Sequence, residues 1–121
     1  MKSFTDIEQS KVLLNILPIE SADMYWDYDV QKHEDYPMIM DDQFDNLCIP
    51  AWSLTALLKV LPKYIEDSNR LRIDIDNVDF SIWYDDIRGY GVNNELPNIV
   101  SKEPVDACVS MIEKLHELNL L

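Results

Sequence analysis

Alternating aspartates in Asp74-Ile75-Asp76-Asn77-Val78-Asp79 are the residues whose type and spacing come nearest to a metal-binding motif, since carboxylate oxygens ligate hard cations. A calcium loop of the EF-hand kind needs a ligand where Val78 stands, glycine where Asp79 stands and usually glutamate where Asp85 stands. The run also alternates polar with apolar residues, as a strand does. It reads as a solvated strand face. His33, Cys48, Cys108 and His116 are the residues with zinc or nucleophile chemistry, but none forms the close pair that a zinc site shows in sequence. Catalysis by a Cys with a His would require the two to meet in space, and no local signature marks such a pair. Two glycines in the whole chain cannot build a phosphate-cradling loop. With 23 acidic residues, carboxylate pairs arise by chance, so spacing singles out no general acid or base. No catalytic residue, metal or cofactor is assigned, and the chain reads as a non-enzyme.

A different chemistry is suggested by Tyr25-Trp26-Asp27-Tyr28-Asp29, with Tyr36, Asp41, Asp42 and Phe44 further on. Tyr and Trp concentrate at binding hot spots, and carboxylates around them suit a basic partner. The protein-contact set is therefore Trp26, Asp27, Tyr28, Asp29, Asp41 and Asp42, with Trp26 and Tyr28 as anchors and the acids as steering charges. The competing reading is that these aromatics pin a loop onto the core, because burying one removes a large apolar area from water.

The charge balance points the same way. Against 23 acidic residues stand 10 basic ones, a formal net charge of −13. A nucleic-acid binder needs Lys and Arg to displace counterions from phosphates. This chain should repel polynucleotides and anionic membranes alike, its densest basic clusters being only Arg70 with Arg72 and Lys59 with Lys63. Two cysteines make no disulfide framework. The opening Met1-Lys2-Ser3-Phe4-Thr5-Asp6 carries no apolar leader, and no apolar run reaches membrane-spanning length. A cytoplasmic protein with reduced thiols is expected.

The elements that would hold these residues follow from periodicity. At 121 residues and 47% apolar content the chain, 1–121, reads as a single domain. Thr5 and Glu8 fit a capping box for a first helix ending at Pro18. Ser21 is expected to cap a short second helix through Trp26. Asp27 to Pro50 reads as a long acidic loop with one short strand at Pro37 to Met40. Ser53 is expected to cap a third helix through Leu61. Leu71, Ile73 and Ile75, then Val78, Phe80, Ile82 and Tyr84, alternate with polar residues and predict a β-hairpin over 71–85, with Trp83 on its outer face. Pro104 opens a last helix whose buried stripe is Val105, Cys108, Val109, Ile112, Leu115 and Leu118. The fold class is α+β, with about four helices on one face of a small antiparallel sheet.

Glu8-Gln9-Ser10-Lys11, Ala22-Asp23-Met24-Tyr25, Pro50-Ala51-Trp52-Ser53-Leu54-Thr55-Ala56-Leu57-Leu58 and Asp106-Ala107-Cys108-Val109-Ser110-Met111-Ile112 occur in that order. Through them the chain resembles a family of short uncharacterised proteins encoded in gut anaerobes, largely within phages and mobile elements. The resemblance implies a stand-alone intracellular protein and brings no functional residue with it. The expected function is that of an acidic protein-interaction or accessory protein whose partner has a basic surface. A nucleic-acid mimic that occupies the groove of a DNA-binding or defence protein is the first alternative. A small hydrolase or transferase using a buried carboxylate is the second.

Overall fold

The computed structural model describes residues 1–27, 36–89 and 91–121. Contacts divide the chain into two compact units, Lys2–Val60 and, together with Met1, Leu61–Leu121. The class is α+β, as expected, but among the described residues three α-helices and two antiparallel sheets replace four helices on one sheet.

In the first unit, helix α1 (Ile7–Leu14) is capped one residue later than the sequence suggests. Asp6 accepts the Gln9 N–H at 2.7 Å, and the Gln9 side chain accepts the Asp6 N–H at 3.1 Å. Thr5 cannot cap because it is buried and its hydroxyl is committed elsewhere. Its Oγ1 lies 2.8 Å from Ser10 Oγ and accepts the Trp52 N–H at 3.1 Å.

The short second helix expected from Ser21 does not form. A single 3-10 turn (Ile19–Ser21) leads into strand β1 (Met24–Trp26). This strand is central in a three-stranded sheet, between β2 (Met38–Ile39) and β3 (Ile49–Ala51). Met24 lies opposite both Ile39 and Ala51, and Tyr25 opposite both Met38 and Pro50. Pairing on two sides overrides the weak local preference of three residues. Pro50, which has no N–H, sits on an edge strand, where its missing donor is tolerated. The expected strand near Pro37 to Met40 is β2. Helix α2 (Leu54–Val60) follows, and Ser53 Oγ accepts the Ala56 N–H at 3.2 Å, as a cap does.

The second unit holds β4 (Tyr64–Ile65), β5 (Asn69–Ile75), β6 (Phe80–Asp86), β7 (Gly91–Val92), β8 (Ile99–Ser101) and helix α3 (Pro104–Glu117). The order is β4-β5-β6, and the far edge of β6 pairs with β7 at Asp85 and Asp86 and with β8 from Phe80 to Ile82. The β5–β6 hairpin turns at Asp76, whose carboxylate accepts the N–H groups of Val78 and Asp79 at 2.8 and 2.6 Å. The acidic run 74–79 is therefore strand and tight turn, in line with its alternation, with Oδ1 of Asp76 accepting from its own backbone.

Helix α3 packs chiefly on β6 and β8. Val105, Cys108, Val109, Ile112 and Leu115 are buried as expected, whereas Leu118, beyond the helix end, is 48% exposed. One expectation fails on β5. Ile73 and Ile75 lie opposite the buried Ile82 and Phe80 and share their face of the sheet, yet they are 41% and 72% exposed. The helix covers β6 and leaves that flank of β5 open. Trp83, on the opposite face, is half-buried and donates its indole N–H to Asp85 at 3.1 Å.

Candidate protein-docking groove

Strand β1 organises the first unit around alternation. Met24 and Trp26 point to one face and Tyr25 to the other. Trp26 is only 7% exposed, and it packs with Ile49, Ala51, Phe4, Ile7 and Met24. Its ring meets Phe4 edge-on at 5.9 Å, and its indole N–H donates to the Thr5 carbonyl at 3.1 Å. A side chain held this way pins the sheet to the α1 entry and presents no face to a partner. The pin reading, and not the anchor reading, describes its position.

On the other face Tyr25 is also buried. Its hydroxyl donates to Asp41 Oδ1 at 3.0 Å, and its ring meets Phe44 edge-on at 5.6 Å. Burial, reinforced by the Asp41 carboxylate, pushes the Tyr25 phenol up to about 12. The same Asp41 oxygen accepts the Gln43 N–H at 2.9 Å, which fixes the chain after β2 as an Asx turn. Asp41 is thus part of the scaffold as well as of the acidic surface. Asp42 is exposed and accepts from the Gln43 side chain at 3.3 Å; Asp27 is half-buried. Tyr28 and Asp29, the remaining expected contact residues, lie outside the described residues, as does His33.

What the structure opens beside β1 is a groove of about 420 Å³. It is lined by Phe4, Met24, Tyr36, Pro37, Met38 and Ile39, with Asp41 as its charged member. Ile39 is 75% exposed and Tyr36 57% exposed, so apolar surface reaches solvent here. Phe4, Met24, Met38 and Ile39 were missed from sequence. Reading Met24 as helical hid the pairing that brings Phe4, from before α1, beside β2.

Burial pushes the Cys108 thiol up to about 12, and burial together with the Asp45 carboxylate raises Cys48. Both thiols are free and held protonated at neutral pH, the reverse of an activated nucleophile. Among the described residues no three His, Cys, Asp or Glu side chains come together as a metal site. Nor is any helix among them long and apolar enough to cross a membrane. Comparison with protein-family models, with curated proteins and with solved structures finds no match to this chain.

Proposed function

We propose that this is a non-enzymatic interaction protein that binds a basic partner through the groove beside β2. The observation that carries the reading is the apolar opening itself: Ile39 and Tyr36 stand exposed at it, and Asp41, Asp42 and Asp45 follow directly in sequence. An apolar side chain of the partner enters the groove, and Lys or Arg beside it meets the carboxylates. Apolar contact supplies the affinity, while the charges steer encounter and select against acidic partners. The setting is intracellular, in the phage or mobile-element context that the sequence resemblance implies.

Selection from a random displayed-peptide library tests this on the groove alone, whatever the partner's identity. Enriched peptides should combine one large apolar residue with flanking Lys or Arg. Their affinity should fall with added salt and drop about tenfold or more on Ile39→Asp, the loss expected of a hot-spot position. Selection without such enrichment, or binding unchanged in Ile39→Asp, would overturn the reading.

A further inference from the structure

Strand β5 presents a surface independent of the groove. β4 covers its outer side only as far as Leu71, whose N–H donates to the Lys63 carbonyl at 2.8 Å. The Asp76 N–H points the other way, into the hairpin, and reaches the Asp79 carbonyl at 3.0 Å. Backbone groups alternate in direction along a strand. Ile73 and Ile75, in phase with Leu71, therefore direct their N–H and C=O groups outward. No strand among the described residues pairs with them there. Natural edge strands are usually blunted by charged side chains, Pro or a bulge. From Arg72 to Asp76 this one has no Pro, its charges Arg72, Asp74 and Asp76 all lie on the face opposite the isoleucines, and pairing with β6 continues unbroken through Ile75. Val78, in the turn that follows, is 64% exposed.

We propose that this edge pairs antiparallel with the same edge of a second copy of the chain, about a two-fold axis at Asp74. In that register Ile73 lies opposite the second copy's Ile75, and each such pair exchanges both backbone hydrogen bonds. The isoleucines of both copies fall on one face of the joined sheet and cover one another. On the other face Arg72 lies opposite the second copy's Asp76, so opposite charges meet on both sides of the axis. The segment Arg72-Ile73-Asp74-Ile75-Asp76 is thus complementary to its own reverse everywhere except at Asp74. A register centred on Ile73 would pair Arg72 with Asp74, but it would require the Leu71 N–H that Lys63 already holds. The Asp74 pair at the axis and the net charge of −13 on each copy oppose association, so added salt strengthens it.

Sedimentation velocity at several protein concentrations, at low and high salt, reads this directly. The expected result is a dimer whose dissociation constant falls as salt rises, the opposite sign from peptide binding at the groove. Ile75→Lys should weaken it by about tenfold, since two Ile73–Ile75 pairs change per dimer, and Asp74→Asn should tighten it by about threefold or more, since the one carboxylate pair at the axis is removed. Ile75 is 72% exposed, so its replacement should leave the monomer's melting unchanged. In a Cys48→Ser background, Asp74→Cys should form an intermolecular disulfide on mild oxidation, whereas Asp76→Cys should not. A monomer at every concentration and salt would overturn the proposal. So would a dimer indifferent to Ile75→Lys, or one linked through Asp76→Cys but not Asp74→Cys.

Discussion

The indole N–H of Trp26 donates to the backbone carbonyl of Thr5 across 3.1 Å, joining the central strand β1 to the residue that precedes the α1 cap. Thr5 in turn exchanges bonds with Trp52, accepting through its hydroxyl and donating its N–H to the Trp52 carbonyl at 2.9 Å. One buried threonine therefore ties α1, β1 and the end of β3 together. Trp26→Ala removes a large ring from this junction and should cost about 3–5 kcal/mol in urea denaturation. Trp26→Phe keeps most of the packing but orphans the Thr5 carbonyl, at about 1–3 kcal/mol. Peptide affinity at the groove, measured well below melting, should change little in the phenylalanine variant. A Trp26→Phe protein as stable as its parent would refute the pinning role.

Asp23 and Ser53 form a second long-range joint. The carboxylate of Asp23 accepts both the N–H and the hydroxyl of Ser53, while Ser53 Oγ caps α2 by accepting the Ala56 N–H. Ser53→Ala should cost about 0.5–2 kcal/mol, the usual loss for a cap. Asp23→Asn should cost less, because an amide oxygen can still accept one of the two bonds. Thermal melts of both variants check the order.

Alkaline pH should destabilise the protein through Tyr25. Its folded pKa, about 12, exceeds the unfolded value near 10. A group raised on folding gives its full stabilisation below the unfolded pKa and loses it as pH climbs through the folded one. Stability should therefore fall between about pH 10 and pH 12, and burial of Tyr84 acts in the same direction. In Tyr25→Phe the slope of the urea midpoint against pH should be shallower across that window. An unchanged slope would show that the phenol ionises freely in the folded state.

Ile112 on α3 is fully buried, and Ile112→Ala should cost about 2–5 kcal/mol. Leu58 on α2 is only partly buried, so Leu58→Ala should cost clearly less. Denaturation curves that reverse this order would place the wrong faces of the two helices inside.

How much of this is legible in the sequence depends on the length over which a pattern can repeat. Helix α3 spans 14 residues and the hairpin strands seven each, long enough for a period of 3.6 or 2 to declare itself in Val105 to Leu115 and Phe80 to Tyr84. Ser53 is readable as a cap because its partner lies three residues away. Met24–Trp26 is too short to show any period, and its strand state comes from Met38 to Ile39 and Ile49 to Ala51, residues that only the tertiary fold brings alongside. Acidic and aromatic residues drew attention to the segment around β1 and β2, but the side chains that line its groove are Phe4, Met24, Pro37, Met38 and Ile39 beside Tyr36 and Asp41. Trp26 has the type of a hot spot and the position of a core residue, because Phe4 and the Thr5 carbonyl reach it from across the fold. Alternation likewise set which face of β5 Ile73 and Ile75 share with Phe80 and Ile82. Whether that face would be covered depended on where α3 comes to rest. It rests on β6 and β8, and the isoleucines of β5 stay in water.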